Sequence, residues 1–387
     1  MSNTPKLRFP EFSGEWEEKK LSDFMTRLTR KNSNNESSRA LTISSVDGLI
    51  DQGEFFKKQI ASKDTSGYYL LKKGDFAYNK SYSVGYDYGS IKRLDRYEDG
   101  VVSTLYICMT LTSDTNSDYL THYFDSMKWN KSVSEISAEG ARNHGLLNIP
   151  TKSFFQTKHF LAPTLAEQQK IANFLSNVDS IITAETKILN TLQKKKKALM
   201  QKLFTRQLRF KSDNGKDFPA WEEKKLGDVC EEFKAGKTIT SHDISEKGEY
   251  PVYGGNGLRG YYNEFNHDGY YVLIGRQGAL CGNINEVQGK TYISEHAIAI
   301  KANDDNLSKY LFFFLDYCNL NQYSESSAQP GLSVQKLIIK QFSFPCRAEQ
   351  QKIADCLSSM DSLIQTQQKV VTTWQKRKKA LLQQMFI

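Results

Sequence analysis

The sequence predicts an α+β protein: two mixed α/β domains separated by two long antiparallel coiled-coil helices, with an internal pseudo-twofold repeat. Three observations predict it. The heptapeptide AEQQKIA occurs at 166–172 and again at 348–354, 182 positions later. The octapeptide WEEKKLSD at 16–23 returns as WEEKKLGD at 221–228, alike at seven of eight places. After each AEQQKIA, apolar residues recur in a sustained 4-3-4-3 rhythm. Self-similarity of this kind marks a duplicated structural unit.

The rhythm gives the helices. Ile171, Leu175, Val178, Ile182, Leu189, Leu192, Leu199 and Leu203 form the first seam, and Ile353, Leu357, Met360, Ile364, Val371, Trp374, Leu381 and Met385 the second. Both seams are interrupted at the same slots, Glu185/Gln367 and Lys196/Lys378, as coiled coils do to fix register. Residues 166–204 and 348–386 share 22 of 39 positions. A helix of that length spans about 58 Å. Pro163 and Pro345 stand just upstream, and Thr164–Glu167 fits a capping box that Cys346 removes from the second copy. The lysine runs at 193–199 and 375–381 lie near the C-terminal ends. They suit the helix dipole there, and equally suit contact with an anion.

Between the repeated ends, the middles are mixed. Strands are expected over 68–80 and 100–111, then a helix over 117–129; the second middle has strands over 269–280 and 290–300 and a helix over 307–318. Ser103 aligns with Ser294, Tyr119-Leu120 with Tyr310-Leu311, and Gly145-Leu146 with Gly331-Leu332. The elements persist while the connecting loops change length. Only a short linker, 205–220, joins the first helix to the second middle, so the second helix returns along the first. TRQLRF after the first helix echoes TPKLRF near residue 9, which places Leu7-Arg8-Phe9 where the second helix stops. A permutant opened within 205–220 is therefore expected to fold.

Composition narrows the class. The chain has 387 residues, 39% hydrophobic, with a net charge of +8, which suits an anionic partner. Six scattered cysteines without a C-x-x-C pair imply reduced thiols and a cytoplasmic setting. The first twenty residues lack the apolar core of a signal peptide, and no apolar run is long enough to span a bilayer.

Several loops carry residues suited to nucleic acid. The segment 79–90 interleaves Asn79 and Lys80 with Tyr82, Tyr86 and Tyr88, and 139–146 offers Arg142, Asn143 and His144. In the second middle, 253–263 offers Tyr253, Asn256 and Arg259, and 275–283 offers Arg276 and Gln277. Arginine can bridge guanine, and asparagine or glutamine adenine, in the major groove. Each residue taken singly also suits an ordinary surface turn. Catalytic patterns fail in context. Gly255, Gly257 and Gly260 spell G-x-G-x-x-G, but turn and strand follow where a nucleotide site needs a helix. Glu17-x-Lys19 and Glu222-x-Lys224 lack a partnered aspartate, and no Pro-Pro occurs for a methyltransferase loop. No nucleophile–base pair or metal constellation is legible.

The opening LRFPEFSGEWEEKKLSDF, its echo LRFKSDNGKDFPAWEEKKLGDV and the two AEQQKIA helices resemble the specificity subunit of Type I restriction–modification systems. The resemblance covers essentially the whole chain. It implies two target recognition domains, 1–162 and 221–344, each reading half of a bipartite asymmetric site in double-stranded DNA. It also implies spacer helices at 163–204 and 345–387 that dock two methyltransferase subunits, with restriction subunits joining outside. No cofactor would belong to this chain: S-adenosylmethionine would sit in the methyltransferase subunits, Mg and ATP in the restriction subunits. Seam packing alone does not require identical Glu167-Gln168-Gln169 and Glu349-Gln350-Gln351, so these six are expected to touch the partner or the base of the recognition domain. A coiled-coil adaptor whose ends bind protein is the alternative. An enzyme in its own right is disfavoured by the missing catalytic constellation.

Overall fold

A computed structural model of the chain describes residues 3–56, 62, 64–112, 114–137, 147–278, 280–324 and 331–387. It divides into two compact units, the first of Met1–Thr186 with Lys369–Ile387 and the second of Lys187–Gln368. Both divisions fall inside a long helix, the first helix being Leu165–Phe204 and the second Arg347–Met385.

In the first unit, strand Glu17–Lys20 pairs antiparallel with Lys158–Leu161. A four-stranded antiparallel sheet follows, in the order Met25–Arg27, Ile107–Leu111, Phe76–Asn79, Ser90–Arg93. Side chains alternate across it. Phe76, Tyr78, Ile107 and Met109 bury against Tyr119, Leu120 and Tyr123 of the helix Ser117–Asp125. Ala77 and Cys108 face the other way, onto Leu41, Leu49, Leu71 and Val102. A sheet covered on both faces explains why these strands read as unbroken apolar runs.

The second unit repeats the plan. Glu222–Lys225 pairs with Gln341–Phe344. Its four-stranded sheet runs Cys230–Ala235, Ala297–Ala302, Tyr270–Gly275, Ile284–Gln288, the same order and the same antiparallel sense. Val272, Ile274, Ile298 and Ile300 pack on the side of helix Ser308–Cys318, while Leu273, Ala297 and Ala299 form the opposite face. The added layers differ: two short two-stranded sheets in the first unit, and one three-stranded sheet of Gly257–Tyr262, Tyr250–Gly254 and Tyr292–Ile293 in the second.

Three expected strands are each two. Residues 68–80 split into Tyr69–Lys72 and Phe76–Asn79, because Gly74 takes φ 92° and the Asp75 carboxylate accepts from the Lys72 N–H at 2.8 Å. Residues 100–111 and 290–300 split at matching turns, where Tyr106 donates to the Ser103 carbonyl and Ala297 to that of Ser294. The aligned serines are turn residues, not strand residues. The helix expected to reach 129 stops at Asp125, as Met127 turns to φ 61°.

All sixteen seam positions of the long helices are buried or half-buried. The shared lysine slots are ion-paired. Lys378 Nζ lies 2.7 Å from Asp179 within the first unit, and Lys196 Nζ 2.5 Å from Asp361 within the second. Thr164 Oγ1 accepts from the Glu167 N–H at 3.2 Å, but the Glu167 carboxylate turns elsewhere, so the cap is one-armed. Leu7 donates to the Gln384 carbonyl at 3.0 Å, and Phe9 packs edge-on against Phe174, as the LRF echo predicts.

The short strand pairs of the two copies differ at one buried position. His159, opposite Lys19, holds the place that Phe342, opposite Lys224, takes in the second copy. Tyr123 and Thr157 hydrogen-bond its two ring nitrogens, and burial pushes its pKa from 6.5 down to about 3. Below the ordinary value the unfolded chain takes up a proton that the folded chain refuses. The first unit therefore loses stability as pH falls from 6.5 towards 3, by up to about 1.4 kcal/mol per unit. Hydrogen exchange at pH 7 and pH 5, corrected for intrinsic rates, is expected to show protection lost more in the first unit than in the second. Equal losses would contradict it.

Candidate nucleic-acid interface

The repeated motif is an internal lock. Glu167, 1% exposed, accepts from Arg8 Nε at 2.7 Å and Nη2 at 2.8 Å and from Trp16 Nε1 at 3.2 Å. In the second copy the buried Glu349 takes Arg209 Nε at 3.0 Å, Nη2 at 2.7 Å and Trp221 Nε1 at 3.1 Å. These bonds hold both guanidinium pKa values above the ordinary one. Gln168 Oε1 accepts from the Asn116 N–H at 2.9 Å while its Nε2 donates to the Ala162 carbonyl at 2.8 Å. Gln350 does the same with Leu307 and Pro345, both at 2.9 Å. Asn116 and Leu307 are the residues that open the two domain helices. Lys170 and Lys352 complete the set by pairing with Glu11 and Asp213.

The glutamate, the first glutamine and the lysine of each copy thus tie a long helix to its own domain, and in the first copy Gln169 Oε1 also accepts from Asn116 Nδ2 at 2.7 Å. Of the six residues expected to touch a partner or the domain base, Glu167, Gln168, Glu349 and Gln350 are buried and bond the base of their own domain. Gln169 and Gln351 are exposed; their Nε2 groups bond Asn173 at 2.7 Å and Asp355 at 2.8 Å.

The candidate loops occupy equivalent places on the duplicated sheet. Residues 80–89 join the strands Phe76–Asn79 and Ser90–Arg93, and residues 276–283 join Tyr270–Gly275 and Ile284–Gln288. Lys80 and Arg276 correspond, for the Lys80 carbonyl accepts from Leu147 at 3.0 Å and that of Arg276 from Leu332 at 2.9 Å. Leu147, rather than Leu146, is therefore the structural counterpart of Leu332.

In the first unit, Asn79 Oδ1 accepts from the Ser81 N–H at 3.0 Å and so shapes the turn. Tyr82 is 56% exposed, and Val84, in the turn closed by the bridge between Ser83 and Tyr86, is 91% exposed. Gly89, at φ 78°, lies against the Asn79 carbonyl, where a Cβ would come within 2.0 Å. Lys92 sits 5.9 Å from the Tyr86 ring centroid and pairs with Asp125. Arg142, Asn143 and His144 lie outside the described residues. Ser45 bonds both Ser83 and Ser90, each at 3.1 Å. It brings the turn carrying Val46, 82% exposed, to this loop. Val46 and Val84 escape a search for basic and aromatic residues.

In the second unit the glycine motif is a hairpin turn, between Tyr250–Gly254 and Gly257–Tyr262, and no helix follows it. Asn256 is exposed at its tip, Arg259 is exposed on the second strand, and Tyr253 is half-buried on the first. A Cβ on Gly255 would lie 2.8 Å from the His296 carbonyl and 2.9 Å from Gly275 Cα, so only glycine lets the hairpin reach the loop that bears Arg276 and Gln277. The hairpin that carries Tyr253, Asn256 and Arg259 thus meets the loop that carries Arg276 and Gln277. His296, missed in the sequence, stands among them, its Nδ1 3.3 Å from Gln277 Oε1. Its only sequence signal is a charged pair, Glu295-His296, at the mouth of an apolar strand. Among the described residues, no helix is long and apolar enough to cross a membrane.

The frame is duplicated, and unlike basic, amide and aromatic loops stand at equivalent places on it. The family model described as the Type I restriction modification DNA specificity domain matches residues 13–194 and 220–373, and the chain belongs to that family. It is 42% identical over 146 residues to the Type I restriction enzyme EcoprrI specificity subunit of Escherichia coli, covering 37% of this chain and 36% of that one. It is 26% identical over 293 residues to the MjaVIII specificity subunit of Methanocaldococcus jannaschii, covering 67% and 68%. The chain thus spans about a third of the first relative's length. A crystal structure of the Type I system S subunit from M. genitalium shares the fold, with TM-score 0.61 at 16% identity over 99% of both chains.

Proposed function

We propose that this chain reads a bipartite, asymmetric sequence in double-stranded DNA, one half per unit, within a cytoplasmic restriction–modification complex. The observation that carries this reading is the equivalence of Lys80 and Arg276: one frame, tied by the same backbone bond, presents two different loops. Two identical heads would read a symmetric site; unlike heads read an asymmetric one. The DNA contacts come from Asn79, Lys80, Tyr82 and Tyr86 in the first unit and from Tyr253, Asn256, Arg259, Arg276 and Gln277 in the second.

The two long helices pair antiparallel as the spacer, and the repeated surfaces seat two methyltransferase subunits. An apolar groove of about 560 Å³ in the first unit, lined by Phe174, Val178, Ile181, Trp374 and Leu381, supports helix docking there. Exposed Gln169 and Gln351 lie on the same helices. The chain carries no methyl-transfer chemistry; S-adenosylmethionine belongs to the methyltransferase subunits, and Mg and ATP to restriction subunits outside them.

Long-read mapping of adenine methylation tests this in a methylation-free host expressing the chain with its methyltransferase. A single gapped motif, modified on both strands and absent without this chain, is the expected result. An active, bound methyltransferase with no new motif would leave only an adaptor role.

A further inference from the structure

His296 stands where the second unit's candidate contacts converge, yet it is not aimed outwards as a free side chain. Its two ring nitrogens face two oxygens: Nδ1 lies 3.3 Å from Gln277 Oε1, and Nε2 3.2 Å from Glu295 Oε1. The other carboxylate oxygen of Glu295 accepts from the Ile239 N–H at 3.2 Å, which anchors the chain of contacts in the fold. The backbone of His296 is fixed as well, since its carbonyl accepts from the Arg276 N–H at 2.9 Å. Gln277 is exposed, and its own main chain is bridged to Gly331.

We infer that His296, oriented by Glu295, is a positioning residue that holds the Gln277 amide with its NH2 group facing the DNA, so that this position reads a base edge rich in acceptors. The inference rests on the DNA-reading function proposed above. With its hydrogen on Nδ1, the ring donates to the Gln277 oxygen. The Gln277 oxygen is then occupied, and the amide presents donors alone. A free glutamine offers a donor and an acceptor together, the pattern that matches adenine. With its oxygen held, the amide matches guanine, whose major-groove edge carries N7 and O6, or the O4 of thymine. His296 thereby converts an adenine-type reader into a donor-only reader.

The test uses the full chain with its methyltransferase in a methylation-free host, and the methylated motif is mapped for each variant. The unaltered chain should specify guanine or thymine at one position of the second unit's half-site. His296→Ala frees the amide, and methylation at sites carrying adenine there should rise about tenfold. The first half-site and the rest of the second should not change. His296→Asn places an amide nitrogen where Nδ1 stands and should restore the original preference. That rescue separates positioning from a merely structural role, because an unfolded unit would lose its whole half-site. Gln277→Glu replaces the donor by an acceptor and should shift the same position towards cytosine or adenine, whose amino groups donate.

A specified motif that His296→Ala leaves unchanged, or whose changes fall on several positions and are not rescued by His296→Asn, overturns the inference while leaving the function intact. Absence of any motif for the unaltered chain overturns both.

Discussion

Replacing Glu167 by alanine is expected to destabilise the first unit by about 3 kcal/mol, the lower end of what breaking a buried ion pair costs. The carboxylate side chain is 1% exposed and that of Arg8 13% exposed. Its removal strands a guanidinium and the Trp16 indole N–H together. Glu349→Ala should cost the second unit less, about 2 kcal/mol, because Arg209 is 30% exposed and water can replace part of the lost partner. Glu167→Gln keeps the shape and an acceptor for one donor, and should lose about half as much as alanine. Hydrogen exchange under mild denaturant reads each unit separately. Losses below about 1 kcal/mol for both alanine variants would show that the carboxylates do not lock the helices to their domains.

The second large effect concerns spacing and rests on the proposed antiparallel pairing of the helices. The units divide at Thr186/Lys187 and at Gln368/Lys369, positions equivalent in the two copies. A heptad inserted at both points preserves the 4-3-4-3 seam and leaves both lysine–aspartate pairs within their own units. Each helix then lengthens by about 10 Å, or about three base pairs of duplex at ~3.4 Å each. Methylation should be lost at the original motif and appear at one with the same half-sites and a longer gap. Altered half-sites would refute the ruler. A heptad in one helix alone should prevent assembly, since the two seams no longer match in length.

The duplication was legible because it is written in residues with strict tasks. Trp16 and Trp221 recur to donate to a buried carboxylate, and Lys196 and Lys378 recur to bridge the helices. The seam was legible for the same reason, as packing repeats at a fixed period. What the motif does was half legible. Periodicity shows that Glu167 is not needed for the seam, but its partners Arg8 and Trp16 are more than 150 residues away, and only the fold joins them. The strand breaks at Asp75 and Ser103 were hidden because an apolar run buried on both faces gives no alternation to count. His296 was hidden because its significance lies in neighbours from other strands. In the first unit, exposed Val46 and Val84 carry no chemical label in a sequence at all.

The division of the chain has a consequence for its synthesis. Leu382, Met385 and Phe386 belong to the core built around Trp16, Tyr119 and Tyr123. The first unit is thus assembled from segments separated by the whole of the second. A ribosome elongating at ~5–20 residues per second ordinarily lets the leading domain close first. Here the leading segment must wait, its aromatic core uncovered, until the last turns of the second helix emerge. Chaperones and proteases would meet the nascent protein at Trp16 and Tyr119, not at the later unit. The second unit is complete first.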